Sequence, residues 1–66
     1  MTKQEAIQLM KEGKKVTHRY FSDNEWVTML PDGRYTFEDN CICSAVGFWH
    51  DRQSTQFQTD WSEFKP

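Results

Sequence analysis

The sequence predicts an α+β fold in which one N-terminal helix packs on a small antiparallel β-sheet of about four to five strands. Three observations predict it: apolar residues recur at helical spacing up to Gly13, alternation replaces that spacing from Val16 onward, and turn-forming segments then separate short apolar runs. A chain of 66 residues has the length of one domain, so we expect residues 1–66 to form a single domain.

The predicted helix has a recognisable start and end. Thr2 and Glu5 fit a capping box, in which each side chain satisfies a backbone amide that lacks a helical partner. Gly13 ends the helix, because glycine readily adopts the left-handed conformation that follows many helices. The apolar stripe of the helix consists of Ala6, Leu9 and Met10, with Ile7 at its flank.

The predicted sheet is a meander of short strands. Turns are expected at residues 22–24, 31–33 and 38–40, and the pair Asp32-Gly33 is the strongest hairpin signal. The candidate strands are residues 16–21, residues 25–30, the segment with Tyr35 and Phe37, and residues 41–48. We expect the strand at 41–48 to be central in the sheet. Phe57, Trp61 and Phe64 are expected to anchor a last short strand or turn.

Composition limits the classes of protein that this chain can belong to. A domain of this size buries only about 60% of the surface of its unfolded chain, so self-association is the expected supplement to the core. Cys41 and Cys43 are too close in sequence for an unstrained disulfide, and we expect both thiols to be reduced. The absence of a leader-like segment and of a long apolar run predicts a soluble, cytoplasmic protein.

Charge is distributed unevenly along the chain, whose formal net charge is −2. Residues 1–20 hold five basic and two acidic side chains, and the remainder holds three basic and eight acidic ones. The net negative charge argues against general nucleic-acid binding as the function.

Two segments combine cationic and aromatic residues. The first consists of Lys14, Lys15, His18, Arg19 and Tyr20, and it fits either an anion site or a solvated strand edge. In a strand, neighbouring residues point to opposite faces, so His18 and Arg19 cannot line the same pocket.

The second segment runs from residue 48 to residue 52. Trp49 and Arg52 in this segment fit either a packed second face of the sheet or a binding platform with a cation at its rim.

Catalytic and metal chemistry find little support in the sequence. Cys41, Cys43, His18 and His50 could supply a tetrahedral zinc site, but a Cys-x-Cys pair is not the usual zinc spacing. The sequence contains neither a nucleophile and base pattern nor a glycine-rich phosphate loop. We therefore expect a protein that is not an enzyme, with no catalytic residues and no cofactor.

A longer pattern resembles a known family. The order Glu-Ala-Ile-x-x-Met-x-x-Gly-Lys-x-Val, from Glu5 to Val16, and the closing pair Asp60-Trp61 are similar to those of small phage proteins related to the Thoeris anti-defence domain. This resemblance implies a compact helix-plus-sheet domain that assembles as a homo-oligomer. It also implies that the protein acts in the host cytosol, where such proteins sequester a cyclic ADP-ribose immune signal without cleaving it.

The leading hypothesis is therefore a sponge for a nucleotide second messenger, either a cyclic nucleotide or a cyclic ADP-ribose. The expected ligand contacts are Lys15, His18, Arg19, Trp49 and Arg52. The alternative is an inhibitor that binds a host protein or a CRISPR-type defence factor, with its acidic part covering a basic surface.

Overall fold

The fold is that of a computed structural model, which describes residues 1–65. Pro66, the last residue of the predicted domain, lies outside the described residues. The elements are α1 (Lys3–Lys11), β1 (Val16–His18), β2 (Val27–Met29), β3 (Tyr35–Phe37), β4 (Ile42–Cys43), α2 (Ala45–His50), a 3₁₀ helix (Thr55–Phe57) and β5 (Trp61–Glu63). The strands form one antiparallel sheet in the order β4-β3-β2-β1-β5, so the predicted α+β fold is confirmed.

Helix α1 begins and ends as the sequence predicts. The Thr2 hydroxyl accepts the Glu5 N–H at 3.2 Å, and the Glu5 carboxylate accepts the Thr2 N–H at 2.9 Å. Gly13 has a φ of 85°, which leads the chain out of the helix and toward β1.

Two hairpins of the same kind join β2, β3 and β4. In the first, the Leu30 N–H donates to the Arg34 carbonyl and Gly33 has a φ of 93°. In the second, the Phe37 N–H donates to the Cys41 carbonyl and Asn40 has a φ of 68°. Each loop therefore has three residues and ends on a left-handed one, a common hairpin geometry.

The core lies on one face of the sheet. Helix α1 packs on β1, β2 and β5, and the Phe48 and Trp49 rings of α2 contact Tyr35 of β3. The buried side chains are Ala6, Met10, Val16, His18, Val27, Tyr35, Phe48 and Trp61. Within residues 1–65, no helix packs on the opposite face.

The prediction of a central strand at residues 41–48 is wrong. β4 has only two residues and lies at an edge of the sheet, and α2 follows it directly. The Ser44 hydroxyl caps α2 by accepting the Gly47 N–H at 3.0 Å. The core-facing Phe48 and Trp49 are neighbours in sequence, which a helix allows and an alternating strand does not.

The prediction for the first strand is too long at its C-terminal end. β1 stops at His18, because the Phe21 N–H turns back to donate to the His18 carbonyl. The final strand is confirmed as β5. Its aromatic anchors are Phe57 and Trp61, whereas Phe64 packs outside the buried core.

Neither α1 nor α2 has the length and apolar character that crossing a bilayer would require, and this finding refers to the described residues alone.

Candidate ligand-binding site

The five residues that the sequence predicts as ligand contacts do not meet in one pocket. Strand alternation and pairing divide them between the two faces of the sheet, because His18 points into the core while Lys15 extends along the opposite face. Arg19 is exposed and directly follows β1. Trp49 and Arg52 lie on the core side, next to the aromatic cluster.

His18 is a structural residue of the core, with 3% of its surface exposed. Its Nε2 lies 2.9 Å from the Gln56 carbonyl and 2.8 Å from the Thr59 carbonyl, while its Nδ1 accepts the Tyr20 N–H at 3.1 Å. Because carbonyls only accept hydrogen bonds, the proton must be on Nε2. His18 thus ties the loop before β5 to β1, and both of its nitrogens are engaged.

Trp49 and Arg52 also have partners within the described fold. The Trp49 Nε1–H donates to the Tyr35 hydroxyl at 2.9 Å, and the Lys3 ammonium lies 4.6 Å from the centre of the Trp49 ring. The Arg52 guanidinium lies 4.1 Å from the centre of the Phe48 ring and donates to the Phe48 carbonyl at 3.3 Å. These contacts favour packing as the role of both side chains.

The open face of the sheet carries an aromatic pair that the core does not use. Trp26 and Phe64 lie outside the buried cluster of the described residues, and their ring centres are 6.5 Å apart. The Lys15 ammonium lies 4.3 Å from the centre of the Trp26 ring. We call Lys15, Trp26 and Phe64 the open-face platform.

Backbone pairing holds the platform in place. Val16 pairs with Val27, so Lys15 and Trp26, which directly precede β1 and β2, are diagonal neighbours across this pairing, and the Phe64 N–H donates to the Lys15 carbonyl at 2.9 Å. Hydroxyl groups surround these residues: Thr17 donates to the Glu25 carbonyl and Thr28 to the Lys14 carbonyl, each at 2.8 Å. The platform is therefore a flat surface that combines two rings, one ammonium and hydroxyl oxygens.

Sequence reasoning included Lys15 in the site but missed Trp26 and Phe64. The sequence does indicate the position of Trp26. Because neighbouring residues of a strand point to opposite faces, Trp26 lies on the face opposite the buried Val27. The signal for Phe64 depended on where β5 begins, and three aromatic residues near the end of the chain left that register open.

The cysteine and histidine residues do not assemble into a metal site. Within residues 1–65, there is no group of three or more His, Cys, Asp or Glu side chains that could hold a metal ion. His18 is engaged in the core, and His50 Nδ1 lies 3.1 Å from the Gln53 amide nitrogen. The Asp39 carboxylate beside Cys41 raises the pKa of that thiol, and burial raises the pKa of Cys43.

A groove of about 500 Å³ lies at the end of the sheet where the chain turns from β2 to β3. Residues 10–13 and residues 29–31 line it, between the end of α1 and the hairpin of β2 and β3. The five predicted site residues all lie outside this groove. Its walls are formed largely by Met10, Met29, Leu30 and Pro31, so it is mainly apolar.

The antiparallel topology separates charge between the two ends of the sheet. The connections from β1 to β2 and from β3 to β4 lie at the same end, together with the start of β5. These connections carry the acidic residues Asp23, Glu25, Glu38, Asp39 and Asp60 against one basic residue, Arg19. The Trp26 N–H donates to the Glu38 carboxylate at 3.4 Å, which links two of the acidic connections.

The chain matches no family model, no curated protein and no solved structure. The fold and the open-face platform define a small α+β domain with a candidate surface for an aromatic, anionic ligand.

Proposed function

We propose that this chain is a phage-type anti-defence protein that binds and sequesters a nucleotide immune second messenger, of the cyclic nucleotide or cyclic ADP-ribose class, without cleaving it. The observation that carries the proposal is the Lys15 ammonium 4.3 Å from the Trp26 ring centre, beside Phe64, on a sheet face that no helix within residues 1–65 covers. The resemblance of residues 5–16 and of Asp60-Trp61 to the Thoeris anti-defence domain supports the same class of ligand.

The platform suits the two chemical parts of a nucleotide. A base stacks on an aromatic ring at a gain of about 1–3 kcal/mol, and this interaction tolerates different bases. The Lys15 ammonium pairs with a phosphate through charge-assisted hydrogen bonds. Lys15 moves from the Trp26 ring to the phosphate as the base takes its place, and Arg19, exposed at the end of β1, adds a second cation.

Sequestration without turnover fits the same residues. The platform offers rings, an ammonium and hydroxyl groups whose protons are already donated to backbone carbonyls. A hydrolase needs a positioned nucleophile and a base, whereas a sponge needs only affinity. The proposed role is therefore that of a protein that lowers the concentration of the free messenger in the host cytosol.

Calorimetry against a panel of cyclic nucleotides and cyclic ADP-ribose isomers tests the proposal. We expect one class of ligand to bind the wild type and to be released intact by heat, with its mass unchanged. Trp26→Ala and Lys15→Gln should each weaken binding at least about tenfold, which corresponds to about 1.4 kcal/mol.

Matched controls are available away from the open face, at Tyr20 beside His18 and at Lys11 of α1. Tyr20→Ala removes another exposed aromatic ring, and Lys11→Gln removes another exposed ammonium, so both variants should bind like the wild type. Flat titrations across the whole panel would refute the proposed function, and so would a ligand recovered as a cleaved product.

A second candidate function is an inhibitor that binds a basic surface of a host protein or of a CRISPR-type defence factor. The gathering of five acidic residues at one end of the sheet favours it. A pull-down from host lysate separates the two candidates. A stoichiometric protein partner that is lost in a Glu38→Gln, Asp39→Asn double variant supports the inhibitor, and a small molecule with nucleotide absorbance supports the sponge.

A further inference from the structure

The outer edge of β4 presents unpaired backbone groups at one residue. Bonded and non-bonded residue pairs alternate along an antiparallel ladder. The Phe37 N–H donates to the Cys41 carbonyl, so the next pair, Thr36 and Ile42, is a non-bonded one. The N–H and the carbonyl of Ile42 therefore point away from β3, and within residues 1–65 neither group has a partner.

The other edge strand, β5, is protected. At the equivalent position of β5, the Trp61 N–H donates to the Met1 carbonyl at 3.1 Å, and the Met1 ammonium donates to the Trp61 carbonyl at 2.7 Å. Glu63 then places a charge further along the same strand. Pairing and charge are two ways in which proteins protect an edge strand, and β5 has both.

The β4 edge carries apolar side chains instead of charge. Ile42 is 52% exposed, and Val46, in the first turn of α2, is 82% exposed. Exposed apolar side chains beside an open edge strand favour pairing with another strand. A residue that offers one donor and one acceptor is complementary to its own copy across a two-fold axis.

We propose that β4 is the interface of a homodimer, in which β4 pairs antiparallel with β4 of a second copy and Ile42 lies opposite Ile42 of that copy. The N–H of each Ile42 donates to the carbonyl of the other Ile42, and these two hydrogen bonds join the two sheets into one. The Val46 side chains of the two copies cover the junction. This interface does not include the residues of the open-face platform. The dimer proposal therefore does not depend on which ligand the platform binds.

The pairing fixes the position of the cysteines. If the Ile42 residues form a bonded pair, the neighbouring Cys41 lies opposite Cys43 of the second copy in a non-bonded pair. Non-bonded pairs bring Cα atoms to about 4.5 Å, which is within the range that a disulfide can bridge. Formation of a disulfide between the two copies therefore reports on this register.

Analytical ultracentrifugation and size-exclusion chromatography with light scattering measure the association directly. We expect the wild type to dimerise reversibly in the micromolar range. Ile42→Lys should raise the dimer dissociation constant by about tenfold or more, because it sets two like charges directly opposite each other. Val46→Asp should act in the same direction, and Tyr20→Lys, at a residue that is 60% exposed elsewhere, should not.

Oxidation of the thiols tests the register. Copper phenanthroline under air removes two electrons and two protons from each thiol pair, and we expect a covalent dimer whose peptide map joins Cys41 to Cys43 of the other copy. The reaction should be run near pH 9, because the pKa of each thiol is raised. Cys41→Ser, Cys43→Ser and Ile42→Lys should each reduce its yield.

A monomer at every concentration up to the millimolar range would overturn the proposal. So would a dimer that Ile42→Lys and Val46→Asp leave intact, because another surface would then hold the copies together. Circular dichroism of each variant shows that a loss of association is not a loss of fold.

Discussion

His18 and Trp26 show how the side chains of two neighbouring strand segments take different roles. His18, which lies beside Arg19 and Tyr20 in the chain, is closed into the core by three backbone groups, whereas Trp26 lies on the open face. The sequence predicted their strands and their alternation. It could not predict that Gln56 and Thr59, about forty residues further on, would supply the carbonyls that engage His18.

The role of His18 predicts a large effect of a substitution that keeps an aromatic ring but removes both ring nitrogens. His18→Phe should lower the free energy of unfolding by about 2 kcal/mol, because the Gln56 and Thr59 carbonyls and the Tyr20 N–H lose a buried partner. Urea denaturation of this variant and of His50→Phe measures the difference, since His50 is exposed. Equal stabilities would contradict this role, and nitrogen NMR should find the proton of His18 on Nε2.

Asn40 provides a second test at the scale of one residue. Its φ of 68° lies in the left-handed region, where β-branched side chains are strained. Asn40→Val should cost about 1–2 kcal/mol of unfolding free energy, and Asn40→Gly should be neutral or stabilising. Asn24→Val, in another exposed turn, serves as the control in the same denaturation series. If Asn40→Val proved as stable as Asn40→Gly, the left-handed conformation would be contradicted.

At the scale of elements, the parts of the fold with local signals were predictable. The capping box, Gly13 and the Asp32-Gly33 turn each act over a few residues, and the structure confirms all three. The error at residues 41–48 arose because Ile42, Val46 and Phe48 alternate well enough to resemble a strand. The competing signal was Ser44 as a helix cap, followed by Ala45, Phe48 and Trp49 at helical spacing.

The capping box predicts a pH dependence of stability. The Thr2 backbone N–H, followed by the Thr2 hydroxyl, lowers the pKa of the Glu5 carboxyl in the folded protein. A lowered pKa means that Glu5 contributes stability above its unfolded pKa and that this contribution is lost as the pH falls through its folded pKa. Glu5→Gln keeps an oxygen acceptor for the Thr2 N–H but does not titrate.

Urea midpoints measured between pH 7 and pH 3 check this prediction. The wild type should be more stable than Glu5→Gln at pH 7, and the two curves should converge in acid. Asp32 and Asp39 also have lowered pKa values, and both proteins lose that stability together, so the difference between the curves isolates Glu5. Curves that stay parallel across the range would show that the capping carboxylate adds nothing.

At the scale of the whole molecule, the sheet separates the buried core from the candidate binding surface. The motif residues that resemble the Thoeris anti-defence domain mostly build the core face: Ala6, Met10, Val16 and Trp61 are all buried. They therefore support the architecture more strongly than they support a particular ligand. The candidate site is on the other face, where pairing between separate strands assembles it, and this is why the residues predicted from the sequence include only Lys15 of that site.

The three tryptophans allow this separation to be tested. Trp61 is 2% exposed, its Nε1–H donates to the Phe57 carbonyl at 2.9 Å, and its ring contacts those of His18, Phe21 and Trp49. Trp61→Ala should cost about 3–5 kcal/mol, which a domain of this size cannot lose and remain folded. Trp61→Phe keeps much of the packing and should fold with reduced stability.

Trp26→Ala should affect ligand binding and leave stability nearly unchanged, whereas substitution of Trp61 should affect stability. Because the Trp26 ring lies outside the buried core cluster and contacts Lys15 and Phe64, its removal should change the free energy of unfolding by less than about 1 kcal/mol while weakening ligand binding at least about tenfold. Denaturation and calorimetry on Trp26→Ala and Trp61→Phe, measured side by side, therefore assign one ring to function and the other to folding. If Trp26→Ala unfolded the protein and Trp61→Phe alone lost the ligand, the binding surface would have to lie on the core side, around Trp49 and Arg52.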